Sequence, residues 1–165
     1  MIDALKDLRD LRWRWVVVGA GPYGARLRAD ARTAGLGDRV TFVGRVDDER
    51  LHAWYEAADL FVHPTLYEGS SLVTLEAMAH RLPVVATDAG GLPDKVRPRV
   101  NGWLVAPGDP SALAAAIRQA FGQQDRFEPM GNAGRAIVER EFSWVVVIDQ
   151  MLKLCSELRP VDRRT

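Results

Sequence analysis

Short apolar runs recur along the chain at 15–18, 40–43, 60–63, 84–87 and 103–105, each separated from the next by a longer stretch of mostly helical periodicity. Runs that are apolar on both faces need cover on both faces, and parallel strands can be joined only by a crossover of about a dozen residues or more. The expected fold is therefore α/β, a parallel sheet flanked by helices. Helices are expected over 22–35, 47–57, 71–81 and 110–121, with a short one near 92–96 and two more at 130–141 and 143–158. Pro22 suits a first helical position, Asp47 to Glu49 put negative charge on an opening turn, and Asp109-Pro110 reads as an N-cap followed by proline. Gly35 and Gly122 are the expected stops. One domain over 1–158 and a disordered tail over 159–165 complete the organisation.

Lys and Arg number 22 and Asp and Glu 22, so no overall field draws the protein to nucleic acid or an anionic membrane, and any bound phosphate must be held locally. Cys155 is the lone cysteine, which excludes a disulfide framework and fits a cytoplasmic setting. His52, His63 and His80 lack metal-ligand spacing and read as surface or packing residues; no metal site is expected.

Two stretches carry candidate chemistry. In VVVGAGPYG, Gly19, Gly21 and Gly24 match the G-x-G-x-x-G of dinucleotide sites. The acid that should end the next strand is missing, since TFVG runs into Arg45, so an NAD-dependent oxidoreductase is the weaker reading. The second stretch is YEGSSLVTLEAMAHRLPVVATDAGGLPDKV. Here Glu68, Gly69, Ser70 and Ser71 lead into an apolar helix that carries Glu76. Small residues at a helix N-terminus allow close approach of an anion to free N–H groups and the positive end of the helix dipole. Ser71 is the natural N-cap, and a carboxylate at Glu76 on so apolar a helix needs hydrogen-bond donors, a role that ligand hydroxyls can fill.

The run EGSSLVTLE, followed by AMAHRLPVVATDAGGLPDKV, NGWLVAPGDPSALAAAI and a late FSW, resembles the C-terminal, nucleotide-sugar-binding half of retaining GT-B glycosyltransferases of family 4 (glycosyl transferases group 1). The resemblance covers residues 3 to 158 and implies a Rossmann-like sheet. It implies that Glu68 faces the donor sugar's hydroxyls and acts in catalysis, that Glu76 accepts from the ribose diol, and that backbone around Gly69, Ser70, Ser71, Leu72 and Val73 holds the diphosphate and sugar. Gly44, Arg45 and Val46 match the stretch whose backbone reads the base, and Gly21 is the glycine of GAGPYG best placed for contact. Gly90 and Gly91 shape the pocket's rim or serve a plain turn, Met78 and Trp103 read as core, and Lys95, Arg97 and Arg99 read as a solvated cluster.

Such enzymes move a sugar from a nucleoside diphosphate (UDP, GDP or ADP) to an acceptor, without a cofactor and without a metal held by a D-x-D motif. The chain opens on IDALKDLRDL, an amphipathic helix, where the family pattern has a strand, a phosphate-gripping Arg and Lys, and a separate acceptor domain before it. The expectation is a half-enzyme lacking its first strand. It would retain a nucleotide-sugar site, transfer nothing alone, and depend on a missing N-terminal domain or a partner chain. Self-association through an exposed sheet edge or the last helix is also expected, and a noncatalytic module of a split enzyme is the alternative.

Overall fold

The computed structural model describes residues 1–157; the tail expected over 159–165 lies outside them. The architecture is α/β with parallel strands and flanking helices, but the strands form two sheets. Strand β1 (Trp15–Val18) pairs in parallel with β2 (Val40–Gly44) across helix α2 (Gly24–Thr33). After α3 (Asp48–Glu56), β3 (Phe61–His63), β4 (Val84–Thr87) and β5 (Gly102–Val105) form the second sheet, with α4 (Leu72–Ala79) crossing between β3 and β4. Among the described residues no strand joins β1 to β3, which leaves one edge of each without a sheet partner. A cavity of about 1130 Å³ lies there, walled by Trp15, Val17, Leu60, Val62 and Phe121.

Helices tie the halves together. The leading helix α1 (Ile2–Lys6) and the long α5 (Pro110–Phe121) share a cluster in which Leu5, Leu8, Leu113 and Ile117 meet Val40 of one sheet and Val85 of the other. On the opposite face, Val84 and Ala86 pack with Met78 and with Ile137 of α6 (Phe127–Ile137). Successive β4 residues thus enter different clusters, as the two-residue period of a strand requires. Trp103 and Met78 are buried core residues, as expected.

The expected starts at Asp47 and Asp109 are N-caps, each accepting a backbone N–H at 2.9 Å. Gly35 ends α2 with φ +66°, a left-handed conformation that disfavours a side chain. Other expectations need correction. Pro22 does not begin a helix: α2 starts at Gly24, and Pro22-Tyr23 belongs to a turn closed by Gly24 N–H on Gly21 C=O. The opening helix stops at Lys6, after which Leu8 and Leu11 close three-residue turns. No helix forms at 92–96, where Asn101 competes for the backbone: its amide accepts from Arg97 N–H at 2.6 Å and donates to Lys95 C=O at 2.9 Å. The helix expected at 130–141 is α6 followed by a single wide turn at Val138–Phe142, before α7 (Trp144–Glu157).

Candidate active site

Helix α4 begins where β3 ends, at the C-terminal edge of the second sheet, the side on which open parallel sheets bind ligands. Ser71 is its N-cap; the buried Oγ accepts from Thr74 N–H at 3.3 Å and from Thr74 Oγ1 at 2.9 Å. Gly69 and Ser70 are exposed just before it, as are Leu72 and Val73 in its first turn. The turn therefore lies at the surface, with the apolar side chains of Leu72 and Val73 exposed and Thr74 N–H taken by the cap. The two carboxylates stand at either end of this turn, and both are half-buried.

Glu68 is held from two sides. Its backbone lies against the loop after β4: Gly91 N–H donates to Gly69 C=O at 3.1 Å, and a Cβ on Gly90 would fall 1.5 Å from the Glu68 carbonyl oxygen. Gly90 also has φ +53°, so close approach and backbone conformation both demand glycine. On its other side, the Glu68 carboxylate faces His63 Nε2 at 3.4 Å. Burial lowers the His63 pKa against the raising effect of Glu68, which keeps the ring neutral near pH 7.

Glu76 meets Tyr55 of α3. The phenol donates to Glu76 Oε2 at 3.0 Å, and burial together with the neighbouring carboxylate raises the Tyr55 pKa well above its usual range. The donor that a half-buried carboxylate needs is thus supplied in part by the protein. His80 stacks on Tyr55 at 5.3 Å, and its Nε2 lies 2.7 Å from His52 Nδ1.

The remaining expected residues divide. Arg45 and Val46 line the inter-sheet cavity together with Gly19, Tyr55 and Val73. Gly44 is bound to the glycine turn through Gly19 N–H at 2.7 Å and does not line the cavity. Gly21 is exposed, and neither Gly21 nor Gly24 has an atom within 4 Å of an added Cβ, so the third glycine of GAGPYG serves no close helix packing. Lys95 departs from the expected solvated cluster: it is 2% exposed, donates to Gly91 C=O at 3.1 Å and lies over the Phe142 ring. Arg97 pairs with Glu141.

Tyr55 was not among the expected site residues, and His63 was expected only as a surface or packing residue. The one available signal for His63 was its place as last residue of a parallel strand, directly before Pro64. Among the described residues no three His, Cys, Asp or Glu side chains gather as a metal site, and no helix is long and apolar enough to cross a membrane.

Known proteins share this sequence and fold. A GDP-mannose-dependent alpha-(1-6)-phosphatidylinositol monomannoside mannosyltransferase of Mycobacterium tuberculosis is 36% identical over 136 residues, 78% of this chain and 35% of its own length. The chain therefore spans about a third of that relative. Among solved structures, Anabaena Alr3699/HepE in complex with UDP superposes with a TM-score of 0.83 at 29% identity, over 95% of this chain and 44% of that one. The C-terminal domain of a glycosyl transferase group 1 family protein (LpcC) from Francisella tularensis superposes with a TM-score of 0.76 at 28% identity, over 87% of this chain and 77% of that one. Residues 1–123 match the family described as glycosyl transferases group 1, and the chain belongs to that family.

Proposed function

We propose that this chain is the donor-binding half of a retaining, family 4 glycosyltransferase of GT-B fold and that it holds a nucleoside-diphosphate sugar at the start of α4. The observation that carries the reading is the pair Glu68 and Glu76 bracketing an open helix N-terminus at the C-terminal edge of a parallel sheet. The diphosphate sits against the N–H groups of Gly69 to Val73, where the dipole and free donors offset its charge without a metal or cofactor. Glu76, already fixed by Tyr55 through one oxygen, accepts the ribose diol with its remaining lone pairs. Glu68 takes the sugar hydroxyls, and the part of the cavity lined by Arg45 and Val46 receives the base. The Anabaena relative was solved with UDP, and the mycobacterial one is GDP-mannose-dependent, so uridine and guanosine diphosphates lead the candidate donors.

In transfer, the bond between the anomeric carbon and the leaving phosphate oxygen breaks. A bond to the acceptor oxygen forms on the same face, and the acceptor proton passes to the departing diphosphate. The stabilisation required is of charge developing on that diphosphate, which pre-aligned N–H donors supply. A further strand between β1 and β3, brought with an acceptor-binding domain or a partner chain, completes the enzyme in its cytoplasmic setting. Trp144, Val145 and Ile148 on α7, at least half exposed, support packing against that partner or a second copy.

Calorimetric titration of residues 1–165 with UDP, GDP, ADP and NAD tests the site. One nucleoside diphosphate should bind, NAD should not, and Glu76→Ala should cost about 1–3 kcal/mol of nucleotide affinity. NAD binding alone would favour the oxidoreductase reading. Sugar transfer by the isolated chain to an ordinary acceptor would overturn its dependence on a partner. Nucleotide binding with no transfer in any co-expressed pairing would favour a noncatalytic module.

A further inference from the structure

The geometry points to His63 as a positioning residue that holds the Glu68 carboxylate to the capped start of α4, so that the sugar-facing acid and the diphosphate-facing turn move as one body. The inference rests on the nucleotide-sugar reading above. His63 ends β3 and reaches three residues of the candidate site at once. Nδ1 lies 2.9 Å from Thr74 Oγ1 and 3.2 Å from Ser71 Oγ, and Nε2 lies 3.4 Å from Glu68 Oε2.

Proton counting assigns the tautomer. An ionised carboxylate only accepts, so the nitrogen facing Glu68 must carry hydrogen. A half-buried imidazole kept neutral has one N–H, which leaves Nδ1 bare and able to accept from a hydroxyl. The two hydroxyl protons cover two of the three contacts: Thr74 Oγ1 donates to Ser71 Oγ, which also accepts Thr74 N–H, and Ser71 Oγ donates to Nδ1. A chain of hydrogen bonds then runs from the α4 backbone through Ser71 and Thr74 to the imidazole, whose Nε2 faces Glu68 Oε2 at 3.4 Å. Because His63 is anchored in β3, whose partner across the ladder is Ala86 of the buried β4, the acid inherits the rigidity of the second sheet.

Two substitutions separate the two ends of the ring. His63→Asn keeps a polar atom near Nδ1 and loses the reach to Glu68; His63→Gln reaches toward Glu68 and abandons the cap. The readout is the affinity of the preferred diphosphate among UDP, GDP and ADP, set against that of its glucose or mannose conjugate. His63→Asn should leave the bare nucleotide within about twofold and weaken the conjugate about tenfold, the scale of one polar contact to a charged group, with His63→Gln recovering most of that loss. Equal losses on nucleotide and conjugate in both variants, or no loss in either, would reduce His63 to a structural residue and overturn the proposal.

Nitrogen NMR of the wild-type ring provides the independent arm. The Nε2–H tautomer is expected, with a pKa that falls further in Glu68→Gln; among the described residues Glu68 is the one charged group that acts on the ring, its contacts Ser71 and Thr74 and its ladder partner Ala86 being neutral. An Nδ1–H tautomer, or a pKa indifferent to Glu68, would break the link. If no nucleotide binds at all, the donor-site reading fails, and these NMR results still decide whether His63 holds Glu68.

Discussion

β4 is buried at all four residues, whereas β1, an equally apolar run, is only half-buried throughout. Neighbours rather than composition make this difference. β4 has β3 and β5 on its edges and helix-borne side chains on both faces, while β1 has β2 on one edge and the inter-sheet cavity on the other. The candidate carboxylates follow the same division: Glu68 and Glu76 hang from the filled sheet, and the expected base-contact residues Arg45 and Val46 hang from the open one. The candidate carboxylates thus belong to the sheet whose central strand, β4, has both edges filled.

The largest expected effect comes from crowding the filled half at the site itself. Gly90→Ala forces a Cβ into the Glu68 carbonyl at a positive φ, and should cost about 3 kcal/mol of stability. Nucleotide-sugar binding should be lost with it. Denaturant midpoints and calorimetry together check this, and a variant of normal stability and affinity would show that the two loops are not pressed together. A matched pair of core truncations compares the sheets directly. Val85→Ala removes methyls from a fully buried site and should cost about 2 kcal/mol, whereas Val16→Ala, beside the open edge, should cost under about 1 kcal/mol. Equal costs in urea unfolding would mean that the edge of β1 is covered in solution. Tyr55→Phe is smaller again: it deletes one hydrogen bond to Glu76 and should lower nucleotide affinity by about 1 kcal/mol, read by calorimetry.

These contrasts also explain what could be read from sequence. The five strands were legible because each is a bounded apolar run; Ser71 and Asp109 were legible as caps, and Asp47 as part of an acidic opening turn, because such signals are local. The Glu68 to Glu76 segment stood out because a carboxylate on an apolar helix is unusual wherever the helix packs. Roles that depend on distant partners left no local trace. Tyr55 meets Glu76 across 21 positions, and His63 gains meaning only when β3 sets it beside Glu68, Ser71 and Thr74. Lys95 looked solvated because charge is mostly exposed, yet the turns drawn in by Asn101 carry it beneath the Gly91 carbonyl. The misplaced helix at 92–96 has the same origin, a side chain from later in the chain outbidding the helical pattern.

The weakest effect concerns the tie between the two halves. Asp10, just after α1, forms a forked pair with Arg118 of α5 at 2.5 and 2.8 Å, and the hydrogen bonds from that guanidinium lower the Asp10 pKa from 3.8 to about 2. A carboxylate whose folded pKa lies below its unfolded value favours folding above the unfolded value, and loses that contribution as pH falls through the folded one. The support is therefore present in full above about pH 4 and is lost as pH falls through about 2. Both partners are exposed, and added salt screens such pairs. Asp10→Asn should lower the urea midpoint slightly at pH 7 and low salt, and the gap to the wild type should close as pH approaches 2 or as salt is raised. A gap that persists at pH 2 would assign the effect to packing of α1 on α5, where Leu5 and Leu8 meet Leu113 and Ile117, and the joint between the sheets would then be apolar rather than ionic.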